Sequence, residues 1–222
     1  MTLATHHHLF IAADGTSAAA VPGERTLLLL HGTGGDENSL LKLGRMLDGQ
    51  ANLLAVRGNV MEGPMPRFFR RLGEGVFDVP DMIARAHALA DWLDAAQKQY
   101  AIETASLVAV GYSNGANIAA AMMYLRPGVF QHAILLRAMS VFRTREHPAP
   151  AADLSRTRVL LASGRRDPIT PASDAMALAA SLRERGASVE MNLDDGDHAL
   201  TQEAVAAART FVAASGAERS GA

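Results

Sequence analysis

Short runs of uninterrupted apolar residues alternate along this chain with longer stretches in which apolar residues return every three or four positions. The first kind predicts strands over Leu9–Ala13, Thr26–His31, Asn52–Arg57, Ser106–Gly111, Ala133–Arg137, Arg158–Ser163 and Ser188–Leu193. Runs such as TLLLLHG and TRVLLASG lack polar alternation, which suits central strands covered on both faces. The second kind predicts helices. ENSLLKLGRMLD sets Leu40, Leu43, Met46 and Leu47 on one face, and DVPDMIARAHALADWLDAAQKQY aligns Ile83, His87, Ala90 and Leu93, with Pro80 in its first turn. PASDAMALAASLRERG starts at Pro171 and stops at Gly186, and a last helix is expected from about Leu200 to Ala214 before a small polar tail at 215–222. Alternating strands and helices imply right-handed crossovers and a mainly parallel sheet between helix layers. In such sheets the functional loops gather at the carboxyl ends of the strands.

Composition narrows this picture. The 222 residues suffice for one substantial core, and with no internal repeat or low-complexity linker the expectation is one domain over 1–222. A net charge of −2 gives no basis for binding nucleic acid or an anionic membrane surface. There are no cysteines, so disulfides, thiolate metal sites and a cysteine nucleophile are excluded. Apolar runs stay far below the roughly 18 residues of a membrane span. The N-terminus MTLATHHHLFIAAD lacks the basic and apolar regions of a secretory signal, and a cytoplasmic enzyme is the expectation. His6, His7 and His8 read as the start of an exposed strand rather than as a metal site.

Four segments carry candidate chemistry, each at an expected strand end. VAVGYSNGANIAA places Ser113 in a Gly-x-Ser-x-Gly corner between an apolar strand and an alanine-rich helix. Gly111 and Gly115 suit positions where a Cβ would collide with the bend or the neighbouring strand. LLLLHGTGGDEN ends a strand at His31 and continues through a loop containing Thr33. A loop after an early strand is where a serine hydrolase takes one oxyanion donor, the other being the N–H after the nucleophile, here Asn114. The loop is neither a Walker pattern nor Gly-x-Gly-x-x-Gly, and His31 fits a bracing role better than that of a base. LLASGRRDPITP puts Asp167 in a proline-bounded loop; taken alone, a helix-terminal or turn role would explain it. NLDDGDHALT puts His198 between the last strand and the last helix, with Asp194, Asp195 and Asp197 close in sequence. The order nucleophile, acid, base (Ser113, Asp167, His198) is that of α/β-hydrolases and differs from the chymotrypsin and subtilisin orders.

At these residues the chain resembles small bacterial α/β-hydrolases of the carboxylesterase/phospholipase type, close to the dienelactone-hydrolase-like group. The pieces LLHGTGGDEN, LAVRGNVMEGPMPRFFRR, VAVGYSNGANIAA, GRRDPITP and GDHALT carry the resemblance from about Leu27 to Phe211, and RGNVMEGPMPRFFRR is similar to hydrolases encoded beside ring-cleaving dioxygenases. The resemblance implies an α/β-hydrolase fold, and the stretch between Arg137 and Arg158 is too short for a separate cap domain. It also implies Ser113, Asp167 and His198 as a catalytic triad, and Thr33 and Asn114 as oxyanion donors. Dienelactone hydrolases proper use a cysteine nucleophile, which this chain lacks. The loop from Gly58 to Val79 is rich enough in methionine and phenylalanine to line an acyl or aryl pocket, for which Met65, Phe68, Phe69 and Met139 are the candidates; anchoring of the loop to the body is the competing role. Arg70 and Arg71 would attract an acidic substrate group, or else the arginines from Arg67 to Arg71 would pair with nearby carboxylates. The expected activity is hydrolysis of small to medium carboxylic esters, with an acyl thioesterase or lysophospholipase using the same triad as one alternative and a non-catalytic ligand-binding relative as another. A small-molecule ester is the expected partner, with no cofactor and no metal ion, the chain acting as a monomer or homodimer.

Overall fold

The computed structural model describes residues 3–16, 18–142 and 149–217. A seven-stranded sheet forms its centre. Strands β1 (His8–Ile11), β2 (Thr26–Leu30) and β3 (Asn52–Val56) come first, with helix α1 (Leu41–Leu47) between β2 and β3. The connection after β3 holds two small ribbons, β4 (Val60–Glu62) with β5 (Met65–Arg67) and β6 (Arg71–Gly73) with β7 (Val76–Phe77). Then follow α2 (Val79–Tyr100), β8 (Leu107–Tyr112), α3 (Asn114–Leu125), β9 (His132–Leu136), β10 (Arg158–Gly164), α4 (Ala172–Arg183), β11 (Ser188–Asp194) and α5 (Gln202–Ala217). The sheet order is β1-β3-β2-β8-β9-β10-β11; β1 is antiparallel to β3 and every other pairing is parallel. This is an α/β-hydrolase fold.

The continuous apolar strands have the cause that their sequence suggests. In β2, Leu28 and Leu30 enter one core with α2, α3 and α4, while Leu27 and Leu29 enter a second core with α1 and α5. Both faces of the strand are dry, so polar alternation would bury unpaired groups. The parallel order sends the carboxyl ends of β2, β8, β10 and β11 to one rim.

Several local expectations are corrected. Helix α1 begins at Leu41, not Glu37, because Asp36 draws the preceding backbone into a turn: its Oδ1 accepts from Asn38 N (2.9 Å) and Ser39 Oγ (3.0 Å). Met46 on that helix is exposed. Helix α2 buries Ala90 and Leu93 of the expected face, with Ile83 partly buried against the core, but Met82, Ala86 and Leu89 share the burial and His87 is exposed, a polar ring being costlier to bury than the neighbouring Ala86. His6 is buried, its ring 5.5 Å from that of Trp92, and His8 Nε2 meets Tyr100 Oη at 2.8 Å. The run therefore does lead into a strand, which begins at His8, but His6 and His8 anchor it while only His7 is exposed. Part of the expected tail, 218–222, lies outside the described residues, as does 143–148 between β9 and β10. Among the described residues no helix is long and apolar enough to cross a membrane, and no group of three or more His, Asp or Glu side chains could hold a metal ion.

Candidate active site

Strand β8 runs straight into α3, and Ser113 sits at the corner with φ 52° and ψ −114°, a conformation rarely taken by a side-chain-bearing residue. The corner is held by Ser113 N–H donating to Leu136 O on β9 (2.8 Å). Glycine is required on both sides by close approach. A Cβ at Gly111 would lie 2.6 Å from Ala116 Cα, and one at Gly115 would fall on the Leu30 carbonyl of β2. With α3 pressed this closely on the sheet, the serine hydroxyl projects from the rim.

His198 and Asp167 reach the same point. His198 Nε2 lies 3.0 Å from Ser113 Oγ, and His198 Nδ1 lies 2.8 Å from Asp167 Oδ2. Asp167 is buried, and its other oxygen, Oδ1, accepts from the N–H groups of Ile169 (2.8 Å) and Thr170 (2.9 Å). These bonds hold the carboxylate so that Oδ2 faces the imidazole. A carboxylate only accepts, so Nδ1 carries the proton and Nε2 is left with its lone pair towards the serine. The backbone at His198 is fixed by Tyr112, whose Oη donates to His198 O (2.9 Å). Serine hydroxyl, neutral imidazole and buried carboxylate thus form one hydrogen-bonded line, an arrangement able to deprotonate the hydroxyl as it attacks a carbonyl.

Thr33 and Asn114 lie with Ser113 in a cleft of about 40 Å³, whose wall also includes Arg67, Arg71, Phe77, Met139 and Ile169. Larger hollows, about 450 Å³ beside Asp91 and Lys98 and about 570 Å³ between Met46 and Arg209, lack any such serine–histidine–carboxylate line. The four residues expected to line a substrate pocket divide. Met139 is in the cleft wall, whereas Met65 is 36 % exposed and packs beside Gly34, outside that wall. Phe68 and Phe69 are buried in the core instead; Phe69 meets Phe77 edge-on at 5.2 Å and Phe68 packs on His31 at 4.8 Å. They anchor the long connection to the body, which is what a solvent-crossing segment needs to stay ordered. Arg70 is exposed and pairs with Asp78 (2.9 Å), while Arg71 pairs with Glu62 (2.7 Å).

His31 braces its loop. Its Nε2 accepts from Gly58 N–H (3.0 Å), so Nδ1 holds the proton and donates to Gly32 O (2.6 Å); burial lowers its pKa and keeps it neutral. Two further contacts escaped sequence reasoning, that of Arg137 and that of Arg67 to Thr33. Arg137, wholly buried with φ 57°, chelates Asp194 at 3.1 Å and donates from Nη2 to Ala199 O (2.8 Å). Arg67 is 3 % exposed and donates from Nη1 to Thr33 Oγ1 (2.5 Å). Each had one available signal: a guanidinium set in an apolar run, as in ILLRAMSV, must be paired if it is buried.

No protein-family model matches the chain. It is 44 % identical over 188 residues to MhqD of Bacillus subtilis (strain 168), a protein named as a hydrolase; the match covers 85 % of this chain and 92 % of that one. Among solved structures, the Bacillus cereus carboxylesterase superposes with a TM-score of 0.87 at 38 % identity, covering 96 % of this chain and 95 % of the other. A carboxylesterase from Mesorhizobium loti superposes with a TM-score of 0.84 at 30 % identity, covering 94 % of each chain. Identity of this extent over nearly the full length of both partners means that the chain belongs to the bacterial carboxylesterase-like hydrolases of the α/β-hydrolase fold.

Proposed function

We propose that this protein hydrolyses small carboxylic esters through an acyl-enzyme intermediate on Ser113. The observation that carries the reading is the unbroken line from Ser113 Oγ through His198 to Asp167, with separations of 3.0 and 2.8 Å. Ser113 Oγ attacks the ester carbonyl while its proton passes to His198 Nε2. Asp167 holds the imidazolium that forms, and the proton then goes to the leaving alcohol. A water molecule deprotonated by the same nitrogen releases the acid and restores the serine.

The negative charge that develops on the carbonyl oxygen is met by the N–H groups of Thr33 and Asn114. As the first residue of α3, Asn114 has an N–H without an intrahelical partner, at the positive end of the helix dipole. Removing one such donor commonly costs about 100- to 1,000-fold in rate. The mixed lining of the cleft, with Phe77, Met139 and Ile169 beside Arg67 and Arg71, supports a small, partly polar ester over a long acyl chain. The segment RGNVMEGPMPRFFRR supports placing the enzyme near the dienelactone-hydrolase-like group, with a serine in place of that group's cysteine.

Labelling with a fluorophosphonate followed by peptide mapping tests the nucleophile: modification at Ser113 supports the proposal, and modification elsewhere or none defeats it. A series of p-nitrophenyl esters of rising chain length, run beside acyl thioesters, tests the substrate class. A rate that declines beyond short acyl chains is expected, and a preference for long-chain thioesters would assign the thioesterase activity instead.

A further inference from the structure

The connection between β3 and α2 does more than cover the rim. Three consecutive residues of this connection each hold a residue at the serine. Pro66 O accepts from Gly34 N–H (2.9 Å), Arg67 Nη1 donates to Thr33 Oγ1 (2.5 Å), and Phe68 N–H donates to Asn114 Oδ1 (2.7 Å). The connection therefore grips both sides of the site where an oxyanion would form. Thr33 is followed by Gly34 and Gly35, so its loop has little side-chain packing of its own to keep one N–H aimed.

Arg67 is the central contact. Its Nε donates to Phe69 O (3.2 Å), and Glu62, the nearest carboxylate at 3.4 Å, also pairs with Arg71, so two guanidinium groups share one carboxylate. Desolvation draws the Arg67 pKa down, but an arginine remains cationic from so high a starting value. A buried positive charge thus stands in the wall of the Ser113 cleft.

We propose that Arg67 is a positioning residue for the oxyanion site: it locks Thr33 through Oγ1 and lends a fixed positive charge to the wall of the cleft. This rests on the serine-esterase reading above. A donor fixed before reaction costs no reorganisation when charge develops, and a cation in a partly dry site favours that charge.

The test compares Arg67→Met, Arg67→Lys and Thr33→Val with the wild type, using a short p-nitrophenyl ester. It also uses a trifluoromethyl ketone, which forms a tetrahedral adduct on the serine, and the neutral amide analogue of the ester as ground-state ligand. Arg67→Met is expected to lower kcat about 10- to 100-fold with KM within about threefold, as misplacement of a reacting group does. Affinity for the ketone should fall by the same factor and affinity for the amide should not. Arg67→Lys, which keeps the charge, should recover part of the loss. Thr33→Val removes the acceptor and leaves the backbone N–H, and should reproduce most of the effect; the double variant should be no slower than the slower single. A folded Arg67→Met enzyme with unchanged kcat and ketone affinity would overturn the proposal, as would losses that multiply in the double variant. Should Arg67→Met fail to fold, Thr33→Val decides by the same ketone-against-amide comparison. A wild type that neither turns over esters nor takes a fluorophosphonate at Ser113 sinks the esterase reading itself and this role with it.

Discussion

The buried Arg137–Asp194 pair ties the end of β9 to the loop that carries His198. Arg137 Nη1 and Nη2 both reach Asp194 at 3.1 Å, and Nη2 also holds Ala199 O, next to the histidine. Asp194 in turn accepts from Gly196 N–H (2.8 Å) and Thr201 Oγ1 (2.9 Å), so it spans the whole histidine loop. Thr170 Oγ1, from the Asp167 loop, reaches Arg137 O (3.4 Å). One ion pair therefore sets the mutual distance of the two loops that serve Ser113.

Breaking that pair from one side leaves an uncompensated charge. Arg137→Met should destabilise the protein by about 3 to 5 kcal/mol. Arg137→Met combined with Asp194→Leu removes both charges and should recover part of the stability, since the groups that the pair had bonded are left without partners. Activity should not recover with it, because Gly196 N–H, Thr201 Oγ1 and Ala199 O remain without their partners. Urea unfolding and kcat measured on the same preparations separate the two effects; full recovery of both would show that the pair acts on stability alone.

Asp167→Asn should be folded and nearly inactive. The backbone N–H groups of Ile169 and Thr170 require an acceptor, so the amide oxygen must take the Oδ1 position and its NH₂ must face His198 Nδ1. The imidazole then carries its proton on Nε2 and cannot accept from Ser113. A loss in kcat of about 10⁴-fold follows for the wrong tautomer, with little change in melting temperature. A variant within tenfold of wild type, about 1.4 kcal/mol in barrier, would contradict the assignment of Asp167 as the orienting acid.

Gly115→Ala tests the corner. The added methyl group would overlap the Leu30 and His31 carbonyls of β2, which cannot move without opening the sheet. The expected cost exceeds about 4 kcal/mol, enough to abolish soluble expression in a protein of ordinary stability. Ala116→Gly, one residue along, should cost about 2 kcal/mol, from backbone freedom and one buried methyl group. Soluble expression and melting curves distinguish the two.

Acid should loosen the N-terminal strand. Burial, reinforced by Arg85 and His8, lowers the His6 pKa from 6.5 to about 4, so the folded protein binds fewer protons there than the unfolded chain. The stabilisation is fully present above pH 6.5 and is lost as pH falls from there through about 4, with a slope of about 1.4 kcal/mol per pH unit. The buried, neutral His31 adds in the same direction. Urea midpoints between pH 7.5 and pH 4.5 should fall more steeply for wild type than for His6→Phe; equal slopes would remove His6 as the cause.

Much of the architecture was legible in the sequence. Strands β2, β3, β8, β9 and β10 stand as continuous apolar runs because each is covered on both faces, and the Gly-x-Ser-x-Gly corner is legible as a local pattern of five residues, although Gly115 answers a demand made by the distant Leu30 carbonyl. The ribbons between β3 and α2 were not legible: pairings of two or three residues have no period to detect. Likewise Phe68 and Phe69 look like pocket residues to any reading of composition, and only packing decides that they face inward.

Local chemistry along the chain, then, determined the order of the elements and named a serine, an aspartate and a histidine at strand ends. Tertiary structure alone decided that these three meet, since each lies on a different crossover and their distances depend on sheet order. It also singled out Asp194 from the neighbouring Asp195 and Asp197, burying it against Arg137 while both neighbours stay exposed. A charge acquires a structural role only when desolvation makes its partner indispensable, and desolvation is a property of the folded neighbourhood, not of the residue.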